Sequence, residues 1–541
     1  MNRRQRYLTG FCRILFFSVF SCFYLLLGSC KENSATGQAV IKRDTAISGA
    51  NSFSTLFFDS VALENYLKSG SLPDTARQLV RNFYNQRNFQ FAWFDTSGVA
   101  EQTLHFWNLQ SGYLELSRDS SIFNPYLQAW ADSVQLNGMQ AVPDSARLRV
   151  EWALTLQFLR YASQAYMGNR QLDAQDLNWF IPRKRVDILS LLDTLVKEKG
   201  KDFDRYEPVN RQYGLLREQL KRYYEIERLS TWTPLVITEK KVQRGDTGSA
   251  IIQLKNKLSL LGDLPVADSG NRFDESLELA VKRFQSRYGL KEDGVIGGRT
   301  LQELSQPIDR RIRQILVNME RIRWVPEEPK SDYLLVNIPE FKLHVYEQGK
   351  YTHNMNVVVG TSTNSTVIFT GGLKYVVFSP YWNVPPGILK KEVLPGIAKN
   401  PDYLVRHNME WFGNRQVRQK PGPKNSLGLV KFLFPNNYNI YLHDTPSKSL
   451  FKEDKRAFSH GCIRVSDPEW LADWLLRSDS SWTKDAISKA MNAGKEKYVT
   501  LKKEVPVYIG YFTAWVDREG RLNFRDDIYG HDAKMIKKMF Q

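Results

Sequence analysis

A chain of 541 residues implies three or four domains rather than one enlarged core. With 42% hydrophobic, 13% aromatic and 25% charged residues, it is not a mostly disordered polymer. The net charge of +17 suits a nucleic acid, an anionic membrane or wall polymer, or a solvated basic surface; no recognition helix, zinc-knuckle spacing or aromatic-basic motif accompanies it, which argues against nucleic acid.

The chain begins with a basic stretch, Arg3, Arg4 and Arg6, followed by an apolar run from Ile14 to Leu27 and then Gly28, Ser29 and Cys30. This order resembles the bacterial lipoprotein signal, which implies a signal peptide over 1–29 and a lipid on Cys30 that anchors the protein to a membrane. An uncleaved anchor is the alternative, and the apolar run is short for a spanning helix. Either reading places the remainder outside the cytoplasm, in the cell envelope and facing the periplasm. Of the four cysteines, Cys12 and Cys22 leave with the signal and Cys30 carries lipid, so Cys462 is the one thiol left and forms no disulfide within the mature chain. Such a thiol is either an inert buried side chain or a reactive one.

Residues 30–53 are rich in Ser, Thr, Ala, Gly and Asn and read as a flexible tether. From 54 to 235 apolar residues recur at helical spacing without a catalytic constellation, which predicts a helical scaffold domain. The 241–306 stretch predicts amphipathic helices near 248–261 and 274–288 separated by turn-formers. Its run from Val281 through Phe284, Gln285, Asp293, Gly294 and Gly297 to Thr300 and Leu301 resembles the peptidoglycan-binding domain type 1 family, implying a small three-helix module; a helical spacer that binds nothing is the plainer alternative.

Pro307 opens a connecting segment over 307–332, read as a basic helix ending before Trp324 and Pro326. The period then changes to two, at Tyr333–Pro339, Lys342–Tyr346 and Asn354–Gly360, which predicts a β-rich domain over 333–510. A Pro- and Gly-containing insertion at about 385–423 interrupts it and suits a cap or lid, and 511–541 form a C-terminal extension. The fold class expected is multidomain α+β.

Chemistry concentrates between Tyr441 and Arg464. His443 precedes Cys462 by nineteen residues, and Cys462 sits in Ser459-His460-Gly461-Cys462-Ile463-Arg464. An imidazole near a thiol takes its proton, and the backbone of a Gly-Cys turn offers N–H groups to an oxyanion. Arg464 suits a substrate carboxylate or the holding of the turn. This stretch, with Ser379–Pro386 and Pro421–Gly428, resembles the L,D-transpeptidase catalytic family over roughly 333–510, and the whole arrangement is similar to the family's long members with a helical scaffold, a wall-binding module and a capped catalytic domain. The resemblance implies Cys462 as nucleophile, His443 as base, and Asp444 orienting His443 through its main-chain carbonyl. It also implies supporting roles for His460, Ser459 and Arg464, and oxyanion donors at Gly461 and Cys462. Tyr441 and Trp382 are candidate substrate contacts, with packing as the plainer reading. No cofactor or metal is expected. The implied reaction joins peptidoglycan stem peptides through a cysteine thioester, with a carboxypeptidase as a possible partner supplying tetrapeptide donors. The alternatives are L,D-carboxypeptidase or endopeptidase trimming at the same site, and a non-catalytic wall-anchoring lipoprotein.

Overall fold

The structure, a computed structural model, describes residues 40–52, 54–70, 72–138, 144–201, 211–229, 232–326, 328–413 and 415–540. The expected signal peptide, Cys30 and part of the tether lie outside the described residues.

The β-rich region is built on a nine-stranded sheet in the order Ala457–Ser459, Lys350–Gly360, Ile463–Val465, Leu442–His443, Val430–Leu433, Phe369–Phe378, Lys497–Gly510, Tyr333–Asn337, Lys342–Glu347. The last strand also pairs with Lys350–Gly360, so the sheet closes on itself. Alternation explains the interior: Leu343 and Val345, Val357 and Val359, and Val430 and Phe432 all point inward and are fully buried. Its longest ladder is antiparallel, Phe369–Phe378 against Lys497–Gly510, with a register shift between Thr500 and Val505.

The cap forms a small unit beside this sheet. Trp382–Asn383, Gln416–Gln419 and Met409–Phe412 make a three-stranded antiparallel sheet, packed by short helical turns between Pro386 and Arg406. Its buried core consists of Val384, Val393 and Val417. At roughly 1.5–3 kcal/mol for each buried valine, this core falls well short of the roughly 1–2 kcal/mol per residue that ordering the backbone costs. The cap therefore depends on its attachment to the closed sheet. Asn425 supplies one such tie, its amide donating to the carbonyls of Pro380 (3.1 Å) and Lys420 (2.9 Å).

Upstream, helices Ser60–Ser69, Asp74–Asn85, Glu101–Ser117, Pro125–Asn137, Asp144–Met167 and Ile188–Lys197 enclose an aromatic core around Trp93, Phe106 and Phe158. Glu151 is buried among them, accepting from Tyr84 Oη (2.8 Å) and the amides of Ala92 (2.6 Å) and Trp93 (3.0 Å); burial pushes its carboxyl up to about 7 against those donors.

Two segments of the 54–235 stretch leave that core. Leu172, Leu177, Trp179 and Ile181 are buried in the core of the closed sheet, where Ile368 N donates to Asn178 O (3.0 Å) and Phe180 N to Ile368 O (2.7 Å). Helix Arg211–Leu229 packs instead with the module formed by Ser249–Leu261, Glu275–Arg287 and Gly298–Leu304. The C-terminal extension divides likewise: hairpin Ala514–Val516/Leu522–Phe524 completes the module's core, and helix His531–Met539 packs on Ile308–Trp324.

Ile308–Trp324 differs most from its expectation as a basic connector. It is buried along nearly its whole length, because its charges meet partners: Arg311 with Glu303, Arg321 with Asp532 (2.6 Å), and Arg323 with Glu320 (2.7 Å) and Tyr213 Oη (2.7 Å). It is the shared spine of the scaffold, the module and the closed sheet.

Candidate active site

Leu442–His443 and Ile463–Val465 are adjacent parallel strands, with Leu442 opposite Ile463 and His443 opposite Arg464. Side chains alternate, so Leu442, Ile463 and Val465 enter the core while Tyr441, His443, Cys462 and Arg464 share the other face. The nucleophile candidate and its histidine, distant in the chain, are thus brought onto one surface by register alone.

His443 is 4% exposed. Its Nδ1 lies 2.5 Å from the Asp444 carbonyl oxygen, which makes Nδ1 the protonated nitrogen and leaves Nε2 as an acceptor. Burial, reinforced by the charge of Arg464, drives its pKa down to about 3, so the imidazole is neutral at working pH. The Asp444 carboxylate is engaged elsewhere, with Lys448 Nζ (2.5 Å) and the amides of Leu429 (2.8 Å) and Thr445 (2.7 Å). Gly428, at φ +62°, leaves the space this carboxylate fills; a Cβ there would collide with it.

The Cys462 thiol, half-buried, lies 3.6 Å from the Asn439 carbonyl. Burial pushes the thiol up, while hydrogen bonds from the backbone and side chain of Tyr441 and the charge of Arg464 pull it the other way. Both groups are therefore held in their neutral forms, which argues against a thiolate–imidazolium ion pair at rest. The Tyr441 ring stands 5.7 Å from that of His443, and its hydroxyl, raised chiefly by burial and next by Cys462, remains a donor.

The turn that carries Cys462 is held from within. Ser459 Oγ donates to Cys462 O (2.5 Å) and accepts from Gly461 N (3.1 Å), and Gly461 adopts φ +116°. The Gly461 amide is thereby committed to the turn, which corrects its assignment as an oxyanion donor. The Cys462 amide has no hydrogen-bond acceptor among the described residues and is the donor left for that role. Arg464 is largely buried and its Nε has no partner; among the described residues its guanidinium makes no ion pair, so it does not hold the turn.

His460 points away from the thiol. It is more than half exposed, and its Nε2 lies 3.4 Å from Glu392 Oε1 of the cap. Trp382 packs within the cap's own core, not against the turn. Asn439 escapes a motif-based reading because only its place in the strand-to-strand loop sets its carbonyl beside Cys462; its neighbour Tyr438 packs against Phe369 (4.9 Å) and against Phe180 of the upstream segment (5.0 Å).

With this geometry in place, comparison with known proteins is informative. Residues 331–509 match the family model described as the L,D-transpeptidase catalytic domain, 78–220 match a scaffold domain, and 247–304 match the "Putative peptidoglycan binding domain". A protein of Haemophilus influenzae named "Putative L,D-transpeptidase" is 31% identical over 243 residues, covering 41% of this chain and 49% of that protein. The chain thus spans about half the length of that curated relative. Among solved structures, an L,D-transpeptidase of Stackebrandtia nassauensis is 16% identical, with 51% of this chain and 98% of that one covered at a TM-score of 0.22. Residues 123–326 of an L,D-transpeptidase of Xylanimonas cellulosilytica are also 16% identical, covering 51% and 100% at a TM-score of 0.17.

Proposed function

Taking as premise a chain whose residues 331–509 match the L,D-transpeptidase catalytic domain, with a scaffold-domain match and a peptidoglycan-binding-domain match upstream, we propose that it joins peptidoglycan stem peptides through a thioester on Cys462. The observation that carries this reading is the neutral, buried His443, pinned at Nδ1 and presenting Nε2 on the face it shares with Cys462. As the thiol sulfur attacks the carbonyl carbon at the L-centre of the third stem residue, its proton passes to His443 Nε2. The C–N bond to the terminal D-alanine breaks, and the same proton leaves with that amine. An amine of a neighbouring stem then attacks the thioester; the C–S bond breaks and the proton the amine sheds returns to sulfur through His443. The Cys462 amide faces the developing oxyanion, and the unpaired Arg464 is suited to a carboxylate of the donor stem.

The net charge of +17 and the 247–304 module support retention at the anionic wall. We place the working protein in the periplasm-facing envelope, anchored by lipid on Cys30, with a separate carboxypeptidase supplying tetrapeptide donors.

Intact-mass analysis after exposure to a carbapenem is the direct test. One adduct on Cys462, absent from Cys462→Ala, is expected, and an unmodified mass would favour a wall anchor. Wall digests from cells carrying Cys462→Ala are expected to lose three-to-three muropeptides. Accumulated cross-links would instead indicate an endopeptidase, and longer uncross-linked stems a carboxypeptidase.

A further inference from the structure

Outside the segment matched to the catalytic domain, one side chain reaches back to the turn that holds the nucleophile. Tyr529, in the C-terminal extension, donates its hydroxyl to the Gly360 carbonyl (2.7 Å) and accepts from the Thr366 amide (3.2 Å). Thr366, fully buried, continues the chain: its Oγ1 accepts from Gly360 N (2.9 Å) and donates to the carbonyl of Gly461 (2.8 Å), the residue before Cys462. Gly360 packs so closely here that a Cβ would collide with the Asn364 carbonyl and stand 3.1 Å from the Gly461 Cα. Tyr529 is itself fixed, its amide donating to Tyr511 Oη (2.9 Å), whose hydroxyl donates to Asp527 (2.7 Å), with the two rings stacked at 5.6 Å. The far end of the same 361–368 loop is pinned by Asn178 and Phe180 through Ile368.

We propose that Tyr529 is a positioning residue for Cys462: through Gly360 and Thr366 its hydroxyl sets the placement of the 459–462 turn, so the C-terminal extension completes an active site that residues 331–509 alone leave slack. The physical need is plain. Gly461, at a positive φ, is conformationally permissive and has no side chain of its own to anchor the turn to the sheet, and a displacement of about 1 Å at a reacting atom costs on the order of a hundredfold in rate. Burial pushes the Tyr529 hydroxyl up to about 12, so it donates throughout neutral and mildly alkaline conditions. The inference deepens the transpeptidase reading and rests on it only for the reaction used as a readout.

The test compares the full chain, purified in detergent, with Tyr529→Phe, Thr366→Val and Thr366→Ser. Carbapenem acylation of Cys462 is followed by intact mass, amide hydrogen exchange by the peptide containing 459–462, and folding by thermal melting. Tyr529→Phe is expected to acylate about tenfold more slowly or worse and to exchange faster at 459–462, with the melt of the scaffold and module retained. Thr366→Val should behave the same way, and Thr366→Ser should recover most of the loss. Unchanged exchange at 459–462 in Tyr529→Phe, or acylation within twofold of the parent, overturns the proposal. If the parent chain itself fails to acylate, the transpeptidase reading falls, while the exchange comparison still decides the brace.

Discussion

Two buried polar regions of this protein treat charge in opposite ways. Along Ile308–Trp324 each buried arginine named above faces an acidic partner: Arg311 with Glu303, Arg321 with Asp532 and Arg323 with Glu320. Around Cys462 the groups are left open: among the described residues His443 is satisfied at one nitrogen and Arg464 makes no ion pair, and burial favours the protonated thiol. Pairing makes the spine rigid, and the open valences of the other region are available to a substrate.

The largest effect should come from deleting the open groups that react. Cys462→Ala and His443→Ala are each expected to lower turnover by about a thousandfold or more, while the thermal melt stays close to that of the parent chain. A parallel collapse of stability would erase the distinction between the two regions. Next comes the paired region. Removing one partner of a buried ion pair leaves the other charge uncompensated, so Asp532→Ala is expected to destabilise the chain by roughly 3–5 kcal/mol, read from urea unfolding monitored at the catalytic segment. A loss under about 1 kcal/mol would show that Arg321 needs no partner.

Arg464 should respond in the opposite sense from Arg321. Arg464→Gln relieves an unpaired buried charge, so stability should hold or rise while the apparent affinity for donor stems weakens by about tenfold. The His443 pKa, now held at about 3, should rise because the second cause of its depression is gone; the imidazole resonances in an NMR titration report this.

The pH dependence follows from the same region. A folded pKa of about 3 against an ordinary 6.5 means that His443 adds stability above pH 6.5, which is lost as pH falls through that interval. Alkylation of Cys462 by iodoacetamide should climb with pH to a midpoint above that of an ordinary thiol, since burial raises it. A flat rate down to pH 5 would point to an ion pair instead.

The smallest effect is at the exposed contact between turn and cap. His460→Ala should change stability by less than about 1 kcal/mol. If the His460–Glu392 contact helps seat the cap, the ratio of hydrolysis to amine transfer should shift in favour of water.

Much of the site was legible in the chain because its chemistry is local: Ser459 to Arg464 is contiguous, and His443 lies one parallel strand away. The helices of the 241–306 module were equally readable from spacing. The spine was not. Its arginines marked it only as a basic connector, because partners such as Asp532 and Tyr213 lie far off in sequence. The same holds for Trp179, whose helical surroundings gave no sign that it belongs to the closed sheet, and for Thr366 and Tyr529, ordinary residues whose importance exists only in three dimensions. The amide of Gly461 was misjudged for a related reason, since nothing in the motif reveals that Ser459 Oγ takes it.

Closure of the main sheet has one more result. Strands Phe369–Phe378 and Lys497–Gly510, which form the longest ladder, each have a strand on both sides over part of their length, and the ring returns through Lys342–Glu347 to Lys350–Gly360. Neither lies at an edge of the sheet. In a crowded compartment this removes the most adhesive template for edge-to-edge aggregation; among the described strands, free edges are left at the short Ala457–Ser459, the cap and the small hairpins.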